Sequence, residues 1–317
     1  MIRLLVTGAS GFIGRHCLEA LLPYNVELHA ITTRIGIAHS GSAQWHVCDL
    51  LDCDSVTSLL NDLRPTHLLH LAWIATPGIY WRSPLNESWQ SASRHLAEAF
   101  LANGGRRMVV AGTCAEYDWS TGVCRESEHD PHPSTPYAQA KLKLSAELAE
   151  LCSRAGANLG WARIFWTYGP YEHPSRFVPS VILSLLRGEP ALCTAGNQRR
   201  DYLHVADLGA ALARFVLSDV AGTVNIASGQ AATVASIAQF IGTELGCSDR
   251  LRLGAIAQPA GEAPLVVADV HRLHNELGFR PRYSLEAGLS DTVNWWQSTR
   301  LSQPAEFNAH SCSRSGV

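Results

Sequence analysis

The chain opens on an apolar run, "IRLLVT" (2–7), after which short β-rich runs alternate with stretches whose apolar positions recur at helical spacing. The runs "VELHAI" (26–31), "QWHV" (44–47), "HLLHLA" (67–72) and "RMVVAG" (107–112) read as strands. Between them the pattern predicts helices from about Phe12 to Leu22, near Ser55–Leu63 and near Leu85–Ala102. Alternation of this kind argues for βαβ units, and so for an α/β fold with a buried parallel sheet covered by helices on both faces. A helix over Tyr137–Cys152 and a strand at "NLGWARIF" (158–165) continue the series. From about residue 170 the rhythm loosens into pieces punctuated by Pro and Gly, with helical stretches near Pro179–Leu186, Val205–Leu217, Val234–Leu245 and Leu285–Gln297. The expected organisation is a first unit over 1–168, to which segments near 200–230 return, and a smaller unit over 169–300. The polar, aperiodic stretch 301–317 is expected to be disordered. No internal repeats are evident.

Composition narrows this picture by exclusion. A chain of 317 residues that is 46% hydrophobic can bury a substantial core. Its 25 basic and 28 acidic residues nearly cancel, and no basic run offers a surface to nucleic acid. The N-terminal apolar run is too short for a signal peptide, and nowhere do apolar residues run long enough to span a membrane, so the protein is expected to be cytoplasmic. Nine scattered cysteines with no C-x-x-C pair read as reduced thiols rather than disulfides or metal ligands.

"TGASGFIG" sets Gly8, Gly11 and Gly14 at G-x-x-G-x-x-G spacing, after a predicted strand and at the opening of a helix. Glycine allows the tight turn and the approach of backbone N–H groups to a pyrophosphate, while the helix N-terminus supplies partial positive charge. An NAD site usually carries an acidic residue at the end of the second strand for the ribose 2′-hydroxyl. Here that place reads Thr32-Thr33-Arg34. With no carboxylate to repel a 2′-phosphate and an arginine to bind one, NADP is favoured over NAD. Asp49, after the third strand, is the candidate acceptor for the adenine amine.

"TPYAQAKLKL" (135–144) places Tyr137 and Lys141 four apart on one helical face. A phenol is a poor base at neutral pH, and a nearby ammonium would lower its pKa. Upstream, "VVAGTCAEYD" ends a strand with Thr113 placed to hydrogen-bond a substrate oxygen.

These motifs, with "CDL" (48–50), "RIFWTYGP" (163–170), "RRDYLHVADL" (199–208) and "NIASG" (225–229), make the chain resemble the extended short-chain dehydrogenases/reductases from Met1 to about Gln297. Within them it is similar to the nucleotide-sugar epimerase/dehydratase/ketoreductase group. The resemblance implies a Rossmann-type doubly wound parallel sheet with a smaller C-terminal substrate-binding region. It implies Tyr137 as general acid/base at a sugar oxygen, Lys141 as the group that lowers its pKa and binds the nicotinamide ribose, and Thr113 orienting the same oxygen. The implied cofactor contacts are Gly8, Gly11, Phe12, Ile13, Gly14, Thr32, Arg34, Asp49, Leu50, Leu71, Ala72, Tyr137 and Lys141. The implied substrate contacts are Thr113, Tyr137, Trp166 and Arg200, the arginine on the nucleotide diphosphate. The helices near 85–102 and 137–154 correspond to those that pair in homodimers of the family.

Departures from the family pattern narrow the chemistry. Sugar 4,6-dehydratases follow the catalytic Thr with Asp and Glu, where this chain has Cys114-Ala115, so elimination lacks its acid and base. The 3,5-epimerase/reductases carry a cysteine where Ala115 stands. Trp166 and Ser91 occupy places where the family commonly has Asn. Reduction of a 4-keto-6-deoxy nucleotide sugar is the favoured reaction, with a 4-epimerase holding NAD tightly as the alternative, and a catalytically silent dinucleotide-binding protein as the contrasting class. Among the remaining residues, Glu116 is expected to be solvated at a strand end. Arg200 could instead pair with Asp201 at the surface. His70 and His204 read as hydrogen-bonded core residues, and Trp295 and Trp296 as packing residues. Glu126, Glu128, His129, Asp130 and His132 fall in a Pro-marked loop at no metal-ligand spacing, so no metal is expected.

Overall fold

The computed structural model describes residues 1–33, 43–127, 133–259 and 261–302. Its first half runs β1 (Ile2–Thr7), α1 (Phe12–Leu21), β2 (Val26–Thr32), β3 (Gln44–Val47), α2 (Cys53–Leu63), β4 (His67–His70), α3 (Leu85–Ala102), β5 (Arg107–Thr113), β6 (Val123–Cys124), α4 (Pro136–Ala155) and β7 (Asn158–Ile164). It continues with β8 (Trp166–Tyr168), α5 (Phe177–Leu186), β9 (Ala191–Leu192), β10 (Arg199–His204), α6 (Val205–Val216), β11 (Gly222–Ile226), β12 (Ala231–Thr233) and α7 (Val234–Glu244). The last elements are β13 (Leu251–Arg252), β14 (Leu265–Ala268), α8 (His271–Asn275) and α9 (Leu285–Ser302).

Seven parallel strands form the main sheet in the order β11-β7-β5-β4-β1-β2-β3. The period of two along each central strand sends alternate side chains to opposite faces. Leu4 and Val6 of β1, Leu69 of β4 and Val109 of β5 join the core under α1 and α6. Leu5, Leu68, Met108 and Val110 join the core under α2, α3 and α4. The strand order reverses between β1 and β4, which opens a crevice at their C-terminal ends, where such sheets bind ligands.

On this sheet α6 covers the face it shares with α1, and β11 adds the edge strand beside β7. A second sheet takes the order β12-β10-β14-β6, with β8 also beside β10. A third core, which includes Ile182, Ile237, Leu289 and Trp296, lies among α5, α7 and α9.

The long elements match the periodicity within one or two residues, apart from α4, which continues past Cys152 to Ala155, and α9, which continues past Gln297 to Ser302. Pattern reading passed over β6, β8, β9 and β12 to β14, each only two to four residues long, and it treated β10 as a motif. Among the described residues no helix is long and apolar enough to cross a membrane. Arg34, the loop residues Glu128, His129, Asp130 and His132, and the tail beyond 302 lie outside the described residues.

Candidate active site

The glycine cradle sits at the mouth of the crevice. Gly8 has φ +67°, and a Cβ there would lie 2.8 Å from the Ala72 backbone nitrogen, so β1 and the chain after β4 meet without a side chain between them. A Cβ on Gly14 would stand 2.2 Å from the Gly8 carbonyl oxygen. Gly11 caps α1 with no side-chain hydrogen bond, and the first turn, with Phe12 and Ile13, carries no acidic residue. The helix therefore offers its first N–H groups and its positive end to an anion, which fits a dinucleotide pyrophosphate. Thr7 fastens the two strand ends together: its Oγ1 accepts from the Leu71 and Ala72 N–H groups at 3.2 and 3.3 Å. His70 completes this tie with Nδ1 at 2.7 Å from Thr7 Oγ1 and Nε2 at 2.8 Å from Ser93 Oγ. Ser93 donates its own proton to the Trp89 carbonyl, so Nε2 donates to Ser93 and Nδ1 accepts from Thr7. Burial and the nearby Lys141 push the His70 pKa down to about 3, which keeps the ring neutral. It is the hydrogen-bonded core residue the sequence implied.

Along the adenine side, Thr32 is buried at the end of β2 and Leu50 is buried after β3. Asp49 is exposed, and its Oδ1 accepts from the Leu51 N–H at 3.0 Å.

Thr113 ends β5, a strand buried over its whole length. It caps the 3-10 turn Cys114–Glu116, accepting at Oγ1 from the Ala115 N–H at 3.2 Å. Facing it, α4 is started by Thr135, whose side chain accepts from the Ala138 N–H, and by Pro136 in its first turn. Tyr137, in the first turn, donates its backbone N–H to the Trp81 carbonyl at 3.2 Å. Lys141 follows on the face of α4 that also buries Leu144 and Leu148, and it is 3% exposed. Its ammonium donates to the Ala111 carbonyl at 2.8 Å and lies 3.8 Å from the centre of the Trp73 ring.

The electrostatics differ from the simple expectation that the ammonium depresses the phenol. Burial holds the Tyr137 phenol above its usual range, reinforced by Tyr80, while a hydrogen bond with Thr113 acts the other way. Burial likewise lowers Lys141 to about 7, against the pull of Glu116. Desolvation outweighs pairing at both groups because each is closed in by protein.

Glu116 overturns the expectation of a solvated carboxylate. It is fully buried, accepts from the Thr113 N–H at 2.8 Å, from Trp161 Nε1 at 3.1 and 3.0 Å, and from Arg163 Nε at 2.8 Å. It holds the turn that carries Thr113, and its oxygens are committed.

Several residues around Tyr137 were missed by sequence reading. Tyr80 and Trp81 present their rings edge-on to it at 4.9 and 5.6 Å, and Trp73 does so at 6.4 Å. The aromatic cluster in "GIYW" is the available signal. Arg176 lies over the Tyr80 ring at 5.3 Å and hydrogen-bonds its hydroxyl. Glu172 is 7% exposed, its Oε2 has no hydrogen-bond partner among the described residues, and burial raises it to about 8.

Trp166 and Arg200 stand on the neighbouring strands β8 and β10, the guanidinium 5.2 Å from the indole centre. Arg200 is 3% exposed and donates to Glu262 at 2.9 Å, so the surface pair with Asp201 does not form. Asp201 instead accepts from Ser228, Gly229 and Ala268. Tyr202, on the same strand, is buried within the field of Glu172, Arg200, Glu262 and Arg176. Ser91 is exposed. His204 is buried, with Nε2 3.3 Å from Asp291, but neither ring nitrogen makes a hydrogen bond among the described residues, so unlike His70 it is not the hydrogen-bonded core residue expected. Trp295 packs at a tilt against Tyr171, ring centres 4.6 Å apart, and Trp296 is buried in the third core.

The chain is 27% identical over 314 residues to a dTDP-4-dehydro-6-deoxy-D-allose reductase of a Streptomyces species, covering 92% of this chain and 95% of that one. It is 26% identical over 309 residues to UDP-glucuronic acid decarboxylase 1 of Xenopus tropicalis, covering 93% and 72%. Among solved structures, MoeE5 in complex with UDP-glucuronic acid and NAD superposes with a TM-score of 0.81 at 29% identity, covering 94% and 99%. Residues 4–227, from β1 through the cradle, Thr113, Tyr137 and Lys141 to the end of β11, match the NAD dependent epimerase/dehydratase family. The chain belongs to that family, within the extended short-chain dehydrogenases/reductases.

Proposed function

We propose that the protein reduces the 4-keto group of a nucleotide-activated 6-deoxy sugar, with NADPH as the preferred reductant. The observation that carries this reading is the state of the Thr113 turn. Cys114 and Ala115 supply no carboxylate, and the one carboxylate on the turn, Glu116, is committed to Arg163, Trp161 and the Thr113 N–H. A dehydratase needs a free acid and base at this place to remove water from the sugar.

The protonated phenol supports reduction in particular. Tyr137, kept above its usual pKa and hydrogen-bonded with Thr113, is suited to give a proton to an oxygen that becomes an alcohol. The bound nicotinamide supplies the hydride. Thr113 holds the same oxygen by its hydroxyl, Lys141 places positive charge behind the pair, and Arg200 suits the diphosphate. The preference for NADPH rests on Thr32-Thr33-Arg34.

The test begins with the purified protein. It is expected to carry no stoichiometric dinucleotide, to bind NADPH more tightly than NADH, and to oxidise NADPH on addition of a 4-keto-6-deoxy sugar nucleotide from a panel varied in base and C4 product. NAD retained through purification, with conversion of a nucleotide sugar to its C4 epimer and no net NADPH loss, would replace this reading with the epimerase.

A further inference from the structure

The strongest feature outside that scheme is the contact between Trp73 and Lys141. Trp73 follows β4 at the crevice, and its ring centre lies 3.8 Å from Lys141 Nζ, well inside the range of a cation–π contact. Its indole is fixed from behind. Nε1 donates to Asn86 Oδ1 at 2.9 Å, and Asn86, 1% exposed, donates from Nδ2 to the Tyr80 and Ser83 carbonyls at 2.7 and 2.9 Å. The loop that walls Tyr137 therefore also sets the plane of the ring above the lysine.

A buried ammonium needs compensation, and few groups here can supply it. Lys141 spends one donor on the Ala111 carbonyl. Glu116, which faces it from the Thr113 turn, is held by Arg163 and Trp161. His70, facing it from β4, is neutral, and Tyr137, on its own helix, is protonated. The negative face of the Trp73 ring adds to the pull of Glu116 in support of the charged form.

We propose that Trp73 is a positioning residue for Lys141: its indole face holds the lysine in its charged form and in place on the side of α4 it shares with Tyr137. This rests on the reading of Tyr137 and Lys141 as the proton-handling pair. The role belongs to the side chain at position 73 together with its Asn86 anchor.

The chain contains only two lysines, Lys141 and Lys143, which makes a direct test available. Isotope-labelled lysine gives two side-chain NMR signals, and Lys143, exposed near Glu147, is an internal control. In Trp73→Leu the Lys141 titration midpoint is expected to fall by roughly one pH unit, and in Trp73→Phe by less, with Lys143 unmoved. The turnover deficit of Trp73→Leu is expected to widen as pH rises, because the charged lysine is lost earlier. An unchanged Lys141 midpoint in a folded Trp73→Leu protein, or a deficit equal at all pH values, would overturn the proposal. The NMR titration needs no substrate, so failure of the ketoreductase reading leaves this test standing and separately readable.

Discussion

Glu116 and Arg163 form an ion pair of 2.8 Å in which the carboxylate is fully buried and the arginine side chain is 8% exposed. The pair exists because β5 and β7 are neighbours in register, Gly112 opposite Arg163, and because Gly112 leaves room: a Cβ there would lie 2.3 Å from Trp161 Nε1. Removing one partner strands a buried charge, which typically costs about 3–5 kcal/mol. Glu116→Gln is expected to destabilise by about 3 kcal/mol, since Gln still accepts from Thr113 or Trp161, and to reduce turnover through a displaced Thr113. Denaturant melts and kinetics on Glu116→Gln, Arg163→Met and the double variant check this. A double variant as unstable as the sum of the singles would show that the two do not interact.

The cradle makes a steric prediction. Gly14→Ala sets a methyl 2.2 Å from the Gly8 carbonyl, which belongs to the backbone and cannot rotate away. Dinucleotide affinity is expected to fall at least about tenfold, equivalent to about 1.4 kcal/mol, with a lower melting temperature. Calorimetry with NADPH and NADH reads this, and unchanged affinity for both would show that the dinucleotide does not depend on this turn.

What the sequence carried well was periodic or local. The strand–helix alternation, the glycine spacing and the shared face of Tyr137 and Lys141 each follow from distances of a few residues along the chain. What it carried poorly depends on distant segments meeting. Glu116 reads as a solvated strand end until Trp161 and Arg163 arrive across the sheet. The pKa order of Tyr137 and Lys141 reverses once Trp73, Tyr80 and Trp81 close over them, since helical spacing brings the pair together but says nothing of solvent. Strands as short as β9 and β13 have too few residues to show a period.

Glu172 predicts a pH-dependent gain in stability on substitution. Its carboxyl, raised by burial to about 8, stays protonated in the folded chain while the unfolded chain ionises above the ordinary range near 4.3. Between those limits the folded state holds more protons, so this group lowers stability progressively as pH rises from about 4.3 to about 8. Glu172→Gln keeps the shape without the titration. Its advantage over wild type is expected to grow by about 3–4 kcal/mol between pH 5 and pH 8. Unfolding curves at both values decide it, and an equal difference at the two would mean that Glu172 is ionised when folded.

Lys141 sets stability against activity in the opposite pH direction. Its folded pKa of about 7 lies below the ordinary value near 10.4, so between those limits the unfolded chain binds more protons and stability rises with pH. The cost of burying the charge is complete below about 7 and fades toward about 10. Lys141→Met fills the same channel under α4 without a charge. It is expected to raise stability by about 2 kcal/mol near pH 6 and by progressively less at higher pH, while turnover drops at least about a hundredfold. Such a gain at the site of a loss is what a group retained for chemistry should show. A variant that is less stable than wild type at every pH would mean that the ammonium, with its bond to Ala111 and its seat on Trp73, holds the fold together rather than straining it.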